Sequence, residues 1–184
     1  RVVDRPNEVE VERARRLLLA DGRFRVLERV ALPTRRVSLG PTAGSWIGVC
    51  LDTETTGLDP ANDAIIELAL RRFRFTSTGE IVALDAPFAW LEDPGRPLDP
   101  AVSRLTRLSD ADLAGRTIDD GAAVELMLSA ALVVAHHSRF DRPFVEKRLP
   151  AVAGLRWSCS MEEVGWAEAG YEGRALRWLL DQAG

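Results

Sequence analysis

The apolar run Trp46-Ile47-Gly48-Val49-Cys50-Leu51 passes without a break into Asp52-Thr53-Glu54-Thr55-Thr56-Gly57-Leu58. No other segment constrains the chain so tightly. A short continuous apolar run has the character of a strand buried on both faces, and the pattern predicts that this strand ends where the acids begin. In open α/β sheets such a strand end is where ligands bind. Side chains two apart on an extended backbone point the same way, so Asp52 and Glu54 are expected to stand side by side. Two adjacent anions at the end of an apolar strand repel each other and resist ionisation unless a cation neutralises them. Their hard oxygen donors suit Mg²⁺ or Mn²⁺. A bare Asp-x-Glu equally begins many solvated loops, and it is the whole heptapeptide after a buried strand that favours the metal reading.

The flanking sequence supplies the rest of a sheet. Residues 65–75 and 81–91 read as two further strands joined by the hairpin-like Ser77-Thr78-Gly79-Glu80. A loop with Pro94, Pro97 and Pro100 leads to short helical pieces over 101–108 and 110–114, then to a helix over 120–131 capped by Thr117 or Asp119. Leu132-Val133-Val134-Ala135 reads as a short buried strand, followed by helices over 139–149, 160–167 and 174–182. The order β-β-β-α-β-α-α predicts a mixed α/β sheet with helices packed on it. Ahead of it, residues 7–20 form a candidate amphipathic helix with Asn7 as cap and Asp21-Gly22 as stop, and residues 24–32 a candidate extended segment. Gly40-Pro41-Thr42-Ala43-Gly44 marks the expected boundary between an arm, 1–45, and a body, 46–184.

Composition narrows the function classes. The 184 residues suit one domain with a short appendage, and 46% apolar with 28% charged residues is globular rather than disordered or fibrous. The most apolar stretch, 121–135, is interrupted by Glu125 and Ser129 and is too short to span a bilayer, so no membrane partner is expected. Cys50 and Cys159 form no disulfide framework and are expected as core thiols. The charge of −4 divides into +4 over residues 1–40 and −8 over the remainder, which argues against a duplex-coating protein but not against an enzyme that meets phosphates through bound metal. The start at Arg1 and the charged first dozen residues suggest a cytoplasmic fragment with an N-terminus upstream.

Asp52-Thr53-Glu54-Thr55-Thr56-Gly57-Leu58 resembles the first motif of the DEDD (DnaQ-like) 3′→5′ exonucleases, the family that includes the proofreading epsilon subunit of bacterial DNA polymerase III. Ile65-Ile66-Glu67-Leu68-Ala69 is similar to the family's second strand, and Leu105-Thr106-Arg107-Leu108 to a segment that usually carries glycine where Arg107 stands. The second motif resembles residues 135–144, with Asp141 as the matched carboxylate, 89 residues beyond Asp52. The resemblance implies a ribonuclease H-like fold, an α/β five-stranded mixed sheet flanked by helices, that returns this segment beside the first strand. Read without the resemblance, Asp141 equally suits the positive N-terminal end of a helix, and Phe140 and Phe144 suit a core face.

What the resemblance implies for the site is specific. Asp52, Glu54 and Asp141, with a final Asp, hold two Mg²⁺ or Mn²⁺ ions. Thr55, Thr56, Gly57, Leu58, His137 and Phe140 seat the terminal nucleotide, and Gly57 lets the backbone approach it. His136 is expected to be structural. The family's catalytic His and last Asp are not matched in this sequence: Gly173 stands where Arg174-Ala175-Leu176 would need His, and Tyr171 and Asp181 do not replace the motif. The expected function is metal-dependent removal of nucleoside 5′-monophosphates from nucleic acid 3′ ends, with single-stranded DNA favoured over RNA, within a polymerase or repair complex. The alternatives are a non-catalytic nucleic-acid-binding or polymerase-associated module on the same fold, and an exoribonuclease. A homodimer is compatible with the many dimeric relatives.

Overall fold

The computed structural model describes residues 7–21 and 43–183. Helix α1 (Glu8–Asp21) begins with a reciprocal cap, in which Glu10 N–H donates to Asn7 Oδ1 at 3.0 Å and Asn7 N–H donates to Glu10 Oε2 at 2.9 Å. The candidate extended segment 24–32 lies outside the described residues.

The body is built on strand β1 (Ser45–Thr55), which does not stop at the acids but carries Asp52 and Glu54 within it. The reason is its neighbour. Strand β2 (Ile65–Thr76) pairs antiparallel along the whole of β1, from Ser45 opposite Thr76 to Glu54 opposite Glu67. A ladder that long overrides the local preference of Asp and Glu for loops. The expected strand over 81–91 is instead two, β3 (Ile81–Leu84) and β4 (Phe88–Leu91), both paired to β2. The break is chemical. Pro87 has no N–H to give a ladder, and Asp85 turns its carboxylate onto Arg72, accepting from Nε at 3.0 Å and from Nη2, while its carbonyl accepts from Arg71 Nε at 2.9 Å. The nearly buried guanidinium of Arg72 is thereby paired.

After α2 (Pro100–Thr106), α3 (Asp110–Leu113) and α4 (Asp120–Leu128), capped by Asp119, strand β5 (Leu132–Ala135) returns parallel to β1. Helix α4 stops three residues short of the expected 131. Helix α5 (Ser138–Arg148) follows, then β6 (Trp157–Cys159), a three-residue strand with no pattern of its own, parallel to β5. Helices α6 (Ser160–Glu163) and α7 (Leu176–Ala183) close the described chain. The sheet thus has six strands rather than the expected five, in the order β3-β2-β1-β5-β6 with β4 also on β2. It is a mixed sheet of the ribonuclease H type.

Burial alternates along β1. Val49, Leu51, Thr53 and Thr55 are buried, and Val49 and Leu51 join Leu68, Leu70, Met127, Val133, Phe144 and Val145 in the main core. Cys50, expected as a core thiol, is exposed on the other face, whereas Cys159 is buried. The expectation of a strand buried on both faces therefore holds for one face of β1. A second, smaller core of Ile66, Leu98 and Leu113 gathers Leu91 from β4 with Val102 and Leu108. Leu91 lies opposite Glu67 in register, so α2 and α3 pack on the face that carries the acids.

Candidate active site

The side of the sheet opposite the main core presents Cys50, Asp52 and Glu54 from β1 and, across the ladder from Glu54, Glu67 from β2. The sheet's parallel half brings in the third carboxylate. Asp141 sits in the first turn of α5, immediately after the β5 strand that lies beside β1, and is 3% exposed. Thr53 reaches it twice: its N–H donates to Asp141 Oδ1 at 3.1 Å and its Oγ1 donates to the same oxygen at 2.8 Å. The 89-residue separation is closed by this contact and by the β1–β5 pairing.

Electrostatics single out the same three groups. Burial pushes the Asp141 carboxyl up to about 6, opposed by the Thr53 hydroxyl and aided by the Asp52 charge. Burial likewise raises Asp52, against the Thr53 N–H and His136. Asp52 reaches solvent, but the protein crowded around its carboxyl still strips enough water to shift it. Glu54 is raised by burial, then by Asp52, Glu67 and Asp141. Cys50 reaches solvent, but the protein crowded around its sulfur and the Asp52 charge raise its thiol and keep it in the unreactive protonated form. All three carboxyls resist ionisation because each is desolvated, and Glu54 and Asp141 also face other anions. Hard oxygen donors that repel one another fit a divalent cation. Among the described residues, however, no three His, Cys, Asp or Glu side chains are grouped as a cage, so the fit is one of donor chemistry and charge.

The other candidate residues fall into two groups. In the turn after β1, Thr55 Oγ1 donates to Gly57 O at 2.6 Å and Thr56 Oγ1 to Asp63 Oδ1 at 3.0 Å, so both hydroxyls are engaged within the turn. A Cβ on Gly57 would meet Asp63 Oδ2 at 2.3 Å; the space Gly57 leaves open is filled by Asp63. Leu58 stands at the tip, 83% exposed. At the start of α5, His137 is the N-terminal flanking residue and stacks on half-buried Phe140, with centroids 6.1 Å apart, while Phe140 leans on Phe144. His136 is not free: Nε2 donates to the Arg174 carbonyl at 2.7 Å and Nδ1 lies 2.9 Å from Ser160 Oγ. At Arg107 the backbone takes φ 62°, the left-handed conformation that a glycine adopts without strain. The bend is kept although the residue differs.

Sequence reasoning missed Thr53, Glu67 and Lys147. Parity would have exposed the first, since Thr53 must face away from Asp52; Glu67 reaches the acid face because the β1–β2 register shifts between Glu54 and Thr55, which puts it on the side opposite Ile65 and breaks the period of two. Lys147 donates to three carbonyls more than eighty residues away and leaves no local signal.

A family model described as Exonuclease matches residues 49–165. The PolC-type DNA polymerase III of Thermotoga maritima is 31% identical over 125 residues, which cover 67% of this chain and 9% of that protein. The PolC-type enzyme of Bacillus subtilis is 34% identical over 99 residues, 53% of this chain and 6% of that protein. The chain thus spans less than a tenth of these relatives. Exonuclease X, solved in complex with 5′ overhanging duplex DNA, superposes with a TM-score of 0.51 at 24% identity, covering 74% of this chain and 72% of that one. E. coli exonuclease I, in complex with a 5cy-dA13 oligonucleotide, superposes with a TM-score of 0.56 at 16% identity, covering 76% and 36%. These two share the fold. The match over more than half of the chain, on the strands and helix that bear Asp52, Glu54 and Asp141, shows that this chain belongs to the DnaQ-like exonuclease family and is a nuclease.

Proposed function

We propose that the chain is a metal-dependent 3′→5′ exonuclease that releases nucleoside 5′-monophosphates from nucleic acid, with single-stranded DNA as the favoured substrate. One observation carries the reading. Asp52 and Glu54 share a face of β1, and Asp141 is held to the same strand through Thr53. All three resist ionisation. Three carboxyls that resist ionisation around one strand end are accounted for by a divalent cation that they would hold.

Asp52, Glu54 and Asp141 would hold two Mg²⁺ or Mn²⁺ ions. Such ions supply charge neutralisation for the attacked phosphate and activation of water. The protein's own part is placement. Thr53 fixes one oxygen of Asp141 and so orients the other. The turn over 55–58 presents backbone and the Leu58 side chain to the terminal nucleotide, and the His137–Phe140 stack offers an aromatic face for a base. The likeness to polymerase chains extends the proposal to a polymerase or repair assembly.

The test is a time course on a 5′-labelled single-stranded oligonucleotide with Mg²⁺ or Mn²⁺. A ladder shortening from the 3′ end, absent with EDTA and with Asp52→Ala, supports the reading. Digestion that survives Asp52→Ala refutes it.

A further inference from the structure

The turn after β1 is held by cations from two distant parts of the chain. Lys147 Nζ donates to Pro60 O at 2.6 Å, Ala61 O at 3.1 Å and Asp63 O at 3.3 Å, which engages all three ammonium hydrogens. Arg96 Nη2 donates to Thr56 Oγ1 at 2.9 Å, Asn62 O at 3.3 Å and Asp63 Oδ1 at 2.9 Å. Inside the turn, Asp63 also accepts from Asp59 N–H and Thr56 Oγ1. A cavity of about 260 Å³ opens where the turn meets the helix, lined by Asp63, Ala64, Ile65, Phe144 and Lys147 among others. The turn therefore spans a gap, and the ammonium bridges it.

The bridge connects two halves of the site. Lys147 lies on α5 six residues beyond Asp141, roughly 9 Å along the helix axis. The turn it grips displays Leu58, a large apolar side chain that stands exposed. An exposed leucine on so heavily bonded a turn is held out for contact rather than left over from packing. We propose that Lys147, with Arg96 as a second tie, is a positioning residue that fixes Leu58 relative to the helix carrying Asp141. The proposal rests on the exonuclease reading, in which Leu58 seats the terminal nucleotide.

Lys147 is exposed, so the carbonyls it releases on substitution can be taken up by water and the fold should survive. Steady-state trimming of the labelled oligonucleotide should show KM raised roughly tenfold in Lys147→Met with kcat within about twofold, as expected when substrate placement rather than chemistry is disturbed. Lys147→Arg should recover most of the loss. In a Leu58→Ala background, Lys147→Met should add less than about twofold, because both changes act on one contact. Amide exchange over residues 57–63 should quicken in Lys147→Met at an unchanged thermal midpoint. Unchanged KM, a kcat loss as large as the KM rise, effects that multiply with Leu58→Ala, or unchanged exchange would each overturn the proposal while leaving the function intact. Wild-type digestion indifferent to Asp52→Ala would remove the function, and the seat with it.

Discussion

The two faces of β1 obey opposite rules. On one, Val49, Leu51, Thr53 and Thr55 are buried, and the polar pair among them is bonded, Thr53 to Asp141 and Thr55 to Gly57. On the other, beside the neutral thiol of Cys50, Asp52 and Glu54 are two carboxyls whose ionisation burial opposes, with His136 acting in favour of Asp52 alone. Eleven residues of one strand thus do two jobs, separated by nothing more than side-chain parity. Holding such an imbalance at the end of the central strand costs stability, which, on the proposed function, a bound cation would restore. Substitution on the first face should unmake the fold, and substitution on the second should unmake the chemistry.

The largest effect expected on stability comes from the core face. Leu51→Ala, at 2% exposure, should lose about 2–5 kcal/mol in denaturant unfolding, whereas Asp52→Asn in EDTA should lose none. A comparable loss for Asp52→Asn would erase the distinction.

Next in size is the pH dependence that Asp141 brings. Its carboxyl sits near 6 in the folded chain against an ordinary value of 3.8, so the folded state binds the proton more tightly than the unfolded one. The protonated state contributes fully below about pH 4, and that contribution fades as pH rises through 6. Metal-free protein should therefore be up to about 2–3 kcal/mol less stable at pH 7 than at pH 4 on account of this group. Asp141→Asn, which still accepts from Thr53, should flatten this part of the profile in urea titrations at a series of pH values.

Thr53→Val keeps shape and removes the Oγ1 donor. It should cost about 1.5 kcal/mol at pH 7, where Asp141 is ionised, and less at pH 4, where the bond is no longer to a charged group. The smallest effect belongs to Cys50→Ser on the open face, within about 0.5 kcal/mol by thermal unfolding.

The same parity explains what could be read from the sequence. The heptapeptide, β5 and α5 were legible because an apolar run ends in acid, and because residues 132–135 and the Phe140/Phe144 spacing carry their own period. The continuation of β1 through Asp52 and Glu54 was not, since it is decided by the ladder to β2 rather than by local preference. The break at Asp85 depends on Arg72, thirteen residues earlier, and β6 exists because β5 offers it an edge. Asp52 and Glu54 were found by type and spacing, and Asp141 by the resemblance of residues 135–144 to the family's second motif. Their partners, Thr53 for Asp141 and Lys147 for the turn, act across more than eighty residues and appear when the fold is complete.

The most direct measurement is thermal unfolding at pH 7.5 with and without Mn²⁺, comparing the wild type with Asp52→Asn/Glu54→Gln. Mn²⁺ should raise the wild-type midpoint and leave the double variant unmoved, and the metal-free double variant should melt no lower than the metal-free wild type. A midpoint that Mn²⁺ leaves unchanged in the wild type, or raises equally in both, would contradict a face folded to hold a cation.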